Sequence, residues 1–130
     1  MKNVLLMVLV SVMLVAATPA VAGTASQMWK CEMDDGVTEE EVMTGAKSWL
    51  EAAKKVEGGE NFGVRVRFPV AVNATGEFDV FFELTAPSFE EWGRFWDNYE
   101  GSEAAEAERQ NVEAGIVCPD SAVWEIFYFE

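Results

Sequence analysis

The sequence predicts an α+β domain in which a four-stranded antiparallel sheet carries two helices on one of its faces. Two observations predict the elements: apolar and polar residues alternate with the period of a strand in several segments, and two other segments repeat apolar residues with the period of a helix. A third observation predicts the architecture. The elements follow one another as strand, helix, strand, strand, helix, strand, which is a split βαβ pattern.

The chain begins with a pattern typical of a secretory signal peptide. Lys2 precedes an apolar run from Val4 to Ala17, and Ala20-Val21-Ala22 supplies the small residues that signal peptidase recognises. The run is about 14 residues long, whereas a membrane-spanning helix needs roughly 20. We therefore expect cleavage after Ala22 and an exported protein, periplasmic or secreted, without membrane attachment. An uncleaved membrane anchor is the alternative.

Composition restricts the partners of the processed chain. Removing 22 of the 130 residues leaves 108, enough for a lead-in at residues 23–27 and a single domain at residues 28–130. Without Lys2, eight basic side chains accompany 23 acidic ones, giving a net charge of −15. Such a surface repels phosphate groups, so nucleic acids and anionic membranes are unfavourable partners, whereas cations, basic proteins and neutral ligands remain open. The acidity could also serve solubility alone.

Cys31 and Cys118 are the two cysteines of the chain. Because thiols oxidise in exported proteins, we predict a structural disulfide between them. The spacing CxxC is absent from the sequence, and so is histidine, the commonest metal ligand and catalytic base. The sequence therefore predicts no redox pair, no metal site and no cofactor.

The first strand is predicted at Met28 to Met33, and the first helix follows it. The intervening acidic stretch around Gly36 lacks the alternating ligands of a calcium loop. Instead, Thr38 and Glu41 have the spacing of a capping box, which begins a helix at Glu39 and extends it to about Val56.

Two further strands, Val64 to Val72 and Glu77 to Thr85, are predicted to form a hairpin. A three-residue loop, Ala74-Thr75-Gly76, keeps their apolar faces in phase. This loop places Phe68 opposite Phe82 and Arg67 opposite Glu83. Because Pro69 cannot donate a hydrogen bond to a neighbouring strand, the earlier strand is predicted to be an edge.

The second helix begins at Ser88, with Glu91 completing another capping box. Five of its side chains are aromatic and lie within about 120 degrees of one another around the helix axis: Phe89, Trp92, Phe95, Trp96 and Tyr99. These rings form either a core-facing surface or a ligand cage. Gly93 lies beside this surface and is predicted to let the helix approach the sheet closely.

The last part of the chain contains a polar helix and a final strand. The helix is predicted at Glu103 to Glu113, and Cys118-Pro119-Asp120-Ser121 is predicted to form a turn. The strand runs from Val123 to Phe129 and is apolar on both faces, so both faces need cover.

This order of elements resembles that of the dimeric α+β barrel group, small ferredoxin-like proteins whose open sheet faces pack together. The resemblance covers roughly residues 27 to 129 and rests on element order. It implies that the second strand is an edge and that the first and last strands are neighbours, which fits a bridge from Cys31 to Cys118. The group includes cofactor-independent monooxygenases, lyases and stress-responsive proteins, so the fold selects no function.

Two functions are compatible with these patterns. The first is an exported non-enzymatic module, dimeric through the open sheet face, that binds a small apolar or aromatic ligand or a protein partner. Its candidate ligand or interface residues are Arg65, Arg67, Phe81, Trp92, Trp96, Trp124 and Tyr128. The alternative is a cofactor-independent enzyme in which Asp79 or Glu83 is the general base and Arg65 or Arg67 holds an anion. Arg67 and Glu83 could equally form an ordinary cross-strand ion pair.

Overall fold

The computed structural model describes residues 24–70 and 78–127, so the predicted signal peptide lies outside the described residues. Within these residues the chain forms four strands and three helices. They are β1 (Thr24–Met33), α1 (Glu39–Ala53), β2 (Gly63–Arg67), β3 (Val80–Ala86), α2 (Phe89–Asp97), α3 (Glu103–Glu113) and β4 (Ile116–Ile126). The strands make one antiparallel sheet in the order β2-β3-β1-β4. This is the predicted ferredoxin-like arrangement, with β2 at an edge and β1 beside β4.

The core lies between the helices and one face of the sheet. Alternate residues of the strands point to this face, which is why their apolar side chains recur at every second position. The fully buried ring of Phe95 in α2 stands at its centre, 4.7 Å from the Phe62 ring and 5.9 Å from the Trp49 ring. Within the described ranges, no helix is both long enough and apolar enough to cross a membrane.

Capping side chains set the helix starts, largely as predicted. At α1 the capping box is complete, because Thr38 accepts from the backbone N–H of Glu41 and donates its own backbone N–H to the Glu41 carboxylate. At α2 the box is half formed. Ser88 Oγ accepts from the backbone N–H of Glu91 at 3.2 Å, but the Glu91 carboxylate binds the Ser88 hydroxyl instead of its backbone.

The first strand begins at Thr24, not at Met28, so the predicted lead-in is wrong from Thr24 onward. Its polar residues find partners inside the fold. Ser26 Oγ donates to Glu83 Oε1 at 2.8 Å, and Gln27 Oε1 accepts from Trp92 Nε1 at 2.9 Å. A polar segment was predicted to stay outside the sheet, yet these bonds allow Ser26 and Gln27 to be buried.

The last strand begins at Ile116, seven residues before the predicted start, and the predicted turn at residues 118–121 is part of it. The pairing of β4 with β1 shifts between Lys30 and Glu32, so Cys118 and Pro119 together lie opposite Cys31. Such a bulge on an edge strand accommodates a proline, because no ladder hydrogen bond is required there. The Cys31–Cys118 disulfide is formed at this bulge, as predicted.

The hairpin register differs from the prediction by two residues. Arg65, not Arg67, lies directly opposite Glu83, and Val66 lies opposite Phe82. A displacement of two residues leaves every side chain on its predicted face, because the strand period is two. Pairing ends at Arg67, shortly before Pro69, so the ladder does not extend to a tight turn. The predicted loop Ala74-Thr75-Gly76 lies outside the described residues.

The prediction for Gly93 is wrong. A Cβ atom at this position would meet no heavy atom within 4 Å in the part of the chain that the structure describes. The close approach to α2 comes instead from the turn after α1. A Cβ atom on Gly58 would lie 2.6 Å from the carbonyl oxygen of Glu91 and 2.6 Å from the backbone nitrogen of Phe95. Large aromatic side chains separate α2 from the sheet. The turn at Gly58 has no side chain and therefore contacts the backbone of α2 directly.

Candidate ligand cavity and open sheet face

A half-enclosed cavity of about 90 Å³ lies between the sheet and the helices. Its walls are mostly aromatic and include Trp29 of β1, Trp49 of α1, and Trp96 and Tyr99 from α2 and the turn that follows it. Glu108, Asn111 and Val112 of α3 complete one side. The volume corresponds to about three water molecules, so the enclosed part holds only a small group.

The five rings of the predicted aromatic surface have different roles. Phe95 belongs to the core, whereas Phe89 is 42% exposed. Trp92 donates its indole N–H to Gln27 on β1. Trp96 and Tyr99 line the cavity. The surface therefore supplies both a core residue and part of a cavity wall. That this wall binds a ligand stays a prediction.

A hydrogen-bond chain runs along one wall of the cavity. Trp49 Nε1 donates to the Tyr99 hydroxyl at 3.2 Å, and the Tyr99 hydroxyl donates to the Glu108 carboxylate. Burial, reinforced by the bond to Glu108, raises the pKa of the Tyr99 hydroxyl well above its ordinary value. The phenol therefore stays protonated at neutral pH, with its proton directed to Glu108.

The indole N–H of Trp96 differs from the other polar groups around the cavity. Its nitrogen is buried, and it has no hydrogen-bond partner among residues 24–70 and 78–127. The Trp96 ring is 4.6 Å from the Tyr99 ring, 5.1 Å from the Phe95 ring and 6.2 Å from the Trp29 ring. These contacts fix the plane of the indole and leave its N–H as an unused donor.

Among residues 24–70 and 78–127, no helix covers the opposite face of the sheet. This face carries most of the other predicted site residues. The strand pairing places Arg65, Arg67, Phe81 and Glu83 on this open face, together with Trp124 of β4. Trp124 is 57% exposed. Tyr128, predicted to lie beside it, is outside the described residues.

Glu83 is the centre of an ion-pair network on the open face and is only 4% exposed. Ser26 donates to one carboxylate oxygen of Glu83. Arg65 Nη1, at 3.5 Å, and Arg67 Nη2 both form ion pairs with the other oxygen. The predicted pair between Arg67 and Glu83 is thus present and is joined by Arg65. With both oxygens engaged, this carboxylate is placed to tie three strands together.

Asp79, the other predicted base, lies just before β3. Its carboxylate accepts the backbone N–H of Met33 at 2.8 Å, and its own backbone N–H donates to the Cys31 carbonyl at 2.9 Å. Asp79 therefore holds the end of β1 against β3. In the described ranges, no group of three or more Asp, Glu, Cys or His side chains is arranged to hold a metal ion.

Sequence reasoning missed Trp49, Glu108 and Asn111 as lining residues. Trp49 recurs with the other apolar residues of α1 at the helical period, a pattern that indicates burial and does not indicate a cavity wall, and α3 has no strong apolar stripe that would direct attention to it. An added Cβ atom on Gly45 of α1 would lie 2.3 Å from Asn111 Oδ1. That glycine between α1 and the polar face of α3 is the one local signal for their close approach.

Comparison with known proteins supports the fold and no specific activity. No family model matches the chain, and no curated protein matches it in sequence. The structure of At3g17210 from Arabidopsis thaliana is similar, with 13% identity, a TM-score of 0.56, and coverage of 82% of this chain and 96% of that one. The hydroxynitrile lyase from Passiflora edulis has 11% identity, a TM-score of 0.56, and coverage of 85% and 99%.

A third similar structure is a dimeric ferredoxin-like protein of unknown function from Bacteroides fragilis. Its identity is 14% and its TM-score 0.49, with coverage of 82% of this chain and all of that one. At such identities the likeness is one of fold alone. The chain has the ferredoxin-like fold that the order of its elements predicted.

Proposed function

We propose that this protein is an exported, non-enzymatic module that forms a homodimer and binds a small apolar or aromatic molecule in the cavity between its helices and its sheet. The cavity carries the proposal. Protein interiors are normally packed to the density of organic crystals, so a half-enclosed space walled by Trp29, Trp49, Trp96 and Tyr99 is unusual for a plain core. Apolar walls with a few polar groups are typical of small-molecule sites.

The charge of the protein and the size of the cavity restrict the kinds of ligand that can bind. The chain has 23 acidic and nine basic side chains, and Glu108 stands in the cavity wall, so anions are repelled. A closed apolar cavity of about 150 Å³ accommodates benzene. At about 90 Å³, this cavity would enclose part of such a ring, with the remainder extending toward its opening.

Filling the cavity should weaken ligand binding. We expect Ala46→Leu, which adds three carbon atoms to a side chain of the cavity wall, to weaken binding of the neutral probe α-methylstyrene at least tenfold. Titration followed by ¹H–¹⁵N correlation spectra measures the affinity and identifies the amides that respond. Ala114→Leu adds the same atoms at an exposed position after α3 and serves as the matched control.

Comparison of probe binding by Ala46→Leu and by wild type shows whether the probe occupies the cavity. Equal binding by Ala46→Leu and wild type would show that the probe occupies another place. If the wild-type spectrum does not change at all in the presence of the probe, the ligand-binding proposal is wrong. Thermal denaturation of both variants checks that each is folded, because a larger buried side chain can cost about 1 to 3 kcal/mol.

The homodimer is inferred from the open sheet face. Helices cover one face of the sheet, whereas Trp124, Phe81 and Met28 lie on the other, with Trp124 more than half exposed. Lys30 and Asp120 lie opposite each other on the same face. A surface that carries an apolar centre and charges of both signs can complement a second copy of itself around a two-fold axis.

Placing a charge on this face should separate the subunits. We expect Phe81→Lys to weaken dimerisation roughly thirtyfold or more, the effect of removing a central interface anchor. Native mass spectrometry across a range of protein concentrations measures the monomer fraction. Met43→Lys makes the same kind of change on α1, where Met43 is 51% exposed, and should leave the dimer unchanged. A Phe81→Lys protein that dimerises like wild type would refute this interface.

Export is supported by the disulfide, since such bonds persist in oxidising compartments. The mass of the protein recovered from the exported fraction of its host tests this part of the proposal. Cleavage after Ala22 predicts a chain that begins at Gly23. Recovery of the uncleaved chain in the membrane fraction would replace the exported form with an anchored one.

A further inference from the structure

We infer that the molecule bound in the cavity carries a methylated ammonium group, such as trimethylammonium, and that the Glu108 carboxylate is its counter-ion. This inference rests on the proposed function and specifies it further, because a methylated ammonium group presents an apolar surface of methyl groups around a positive charge. It names both the chemical class of the ligand and the side chain that selects for that class.

Glu108 gives the cavity wall a negative charge that no basic side chain of the described residues neutralises in an ion pair. Glu83 is the other acidic residue of the wall, and Arg65 and Arg67 both form ion pairs with it. The hydrogen bond that Glu108 accepts comes from the neutral hydroxyl of Tyr99. A neutral donor does not cancel the charge of a carboxylate, so the wall favours a cation over a neutral ligand.

The Glu108 carboxylate is accessible from the cavity. Glu108 lines the cavity and is also exposed to solvent, so it lies where the cavity opens. Tyr99 engages one of its carboxylate oxygens, and the other has no hydrogen-bond partner in the described part of the chain. An ammonium group whose methyl groups enter the cavity can therefore lie against this carboxylate while the bond to Tyr99 stays intact.

The aromatic walls favour a methylated ammonium group over other cations. Trp29, Trp49, Trp96 and Tyr99 line the cavity, and they cannot replace the water that a primary ammonium or a metal ion would lose there. Methyl groups pack against such walls, and the face of an aromatic ring attracts the positive charge that they surround. The enclosed volume of about 90 Å³ suits this compact group better than a complete benzene ring, which occupies a cavity of about 150 Å³.

The charge of the whole protein acts in the same direction. The chain has 23 acidic and nine basic side chains, so its field raises the concentration of cations near its surface. This attraction also operates outside the cavity. An experiment must therefore separate binding in the cavity from general attraction to the acidic surface.

A matched pair of ligands and a matched pair of variants make this separation. Choline and neohexyl alcohol have the same skeleton and differ in the replacement of the ammonium nitrogen by carbon. Glu108→Gln removes the charge and keeps an acceptor for the Tyr99 hydroxyl. Glu113→Gln makes the same change at an exposed residue of α3 that does not line the cavity, and it serves as the control.

We expect the wild type to bind choline about tenfold more tightly than neohexyl alcohol. Glu108→Gln should weaken choline binding about tenfold and leave binding of the alcohol unchanged. Glu113→Gln should change neither affinity by more than about twofold, because salt screens a distant exposed charge. Ala46→Leu should weaken binding of both ligands, since it fills the cavity. Titrations followed by ¹H–¹⁵N spectra at constant ionic strength measure these affinities.

The two proposals fail in different ways. If neither ligand binds the wild type, the proposed function is wrong. If the wild type binds the two ligands equally, the cavity is a ligand site but the inferred charge of its ligand is wrong. This comparison requires no variant, so it holds whatever the stability of Glu108→Gln.

The variants and a third ligand test the remaining parts of the inference. An unchanged preference for choline in Glu108→Gln would show that Glu108 is not the counter-ion. Choline binding by Ala46→Leu at wild-type strength would place choline on the acidic surface and overturn the inference. Ethanolamine carries an unmethylated ammonium group and should bind more weakly than choline; equal binding would refute the selection of a methylated group.

Discussion

Replacing Cys31 and Cys118 together by alanine is expected to lower the free energy of unfolding by about 4 to 5 kcal/mol. The two residues are 87 positions apart, and a cross-link that closes a loop of this length removes that much conformational entropy from the unfolded chain. Domains of this size are commonly stable by about 5 to 15 kcal/mol. The loss would therefore take a large part of the total stability.

The position of the bridge adds to this effect. Cys31 is fully buried and packs with Val42, Val80 and Ile116, so its sulfur also contributes to the core. The bridge joins β1 to the edge strand β4 at the bulge, where the ladder of backbone hydrogen bonds is interrupted. Without it, we expect β4 to separate from the sheet before the remainder unfolds.

Denaturation in urea, with and without dithiothreitol, measures the loss. The wild type should become as unstable as the double alanine variant when it is reduced, and the variant should be insensitive to the reductant. A variant within about 1 kcal/mol of the oxidised wild type would contradict the entropy argument. Amide hydrogen exchange tests the order of events, since β4 amides should lose protection first.

Gly58→Ala is expected to destabilise the protein by about 2 to 6 kcal/mol. Gly58 has a φ of 93°, a conformation that an alanine adopts only with strain. The new Cβ atom would also lie 2.6 Å from backbone atoms of both Glu91 and Phe95. Backbone atoms inside a helix cannot move aside singly, so α2 would have to shift as a whole.

Gly93→Ala is the matched control, because it makes the same chemical change within α2 itself. Gly93 has an ordinary helical conformation with open space around it in the described structure. Alanine should therefore stabilise the helix by about 0.5 to 1 kcal/mol. Chemical denaturation of both variants gives the two differences. Equal effects of the same sign would show that the turn at Gly58 does not pack against α2 as described.

Much of the fold could be predicted locally. The capping box of Thr38 and Glu41 identifies the start of α1, and the spacing of rings on α2 identifies its inner surface. The alternation along residues 64–68 and 80–84 identifies which side chains face the helices, even though the register was two residues out. Each of these properties depends on residues within a few positions of one another, as secondary structure does.

The errors at the starts of β1 and β4 share one physical cause. Thr24 to Gln27 and residues 116–121 are polar or contain a proline, and local preference therefore places them outside strands. They nevertheless pair, because β1 and β4 offer each other hydrogen-bond partners from distant parts of the chain. Long-range pairing outweighs local preference at such segments. A local sequence pattern does not indicate which distant segments will pair.

The sequence by itself determined the kinds of elements, their order, the faces of the strands and the pairing of the only two cysteines. Only the tertiary structure decided where those faces leave space and which polar groups remain unpaired. Ser26 and Glu83 are 57 positions apart, and Trp92 and Gln27 are 65 apart. Whether a side chain such as Trp96 finds a partner depends on how separate elements pack, because hydrogen bonds act over about 3 Å in space whatever the distance along the chain.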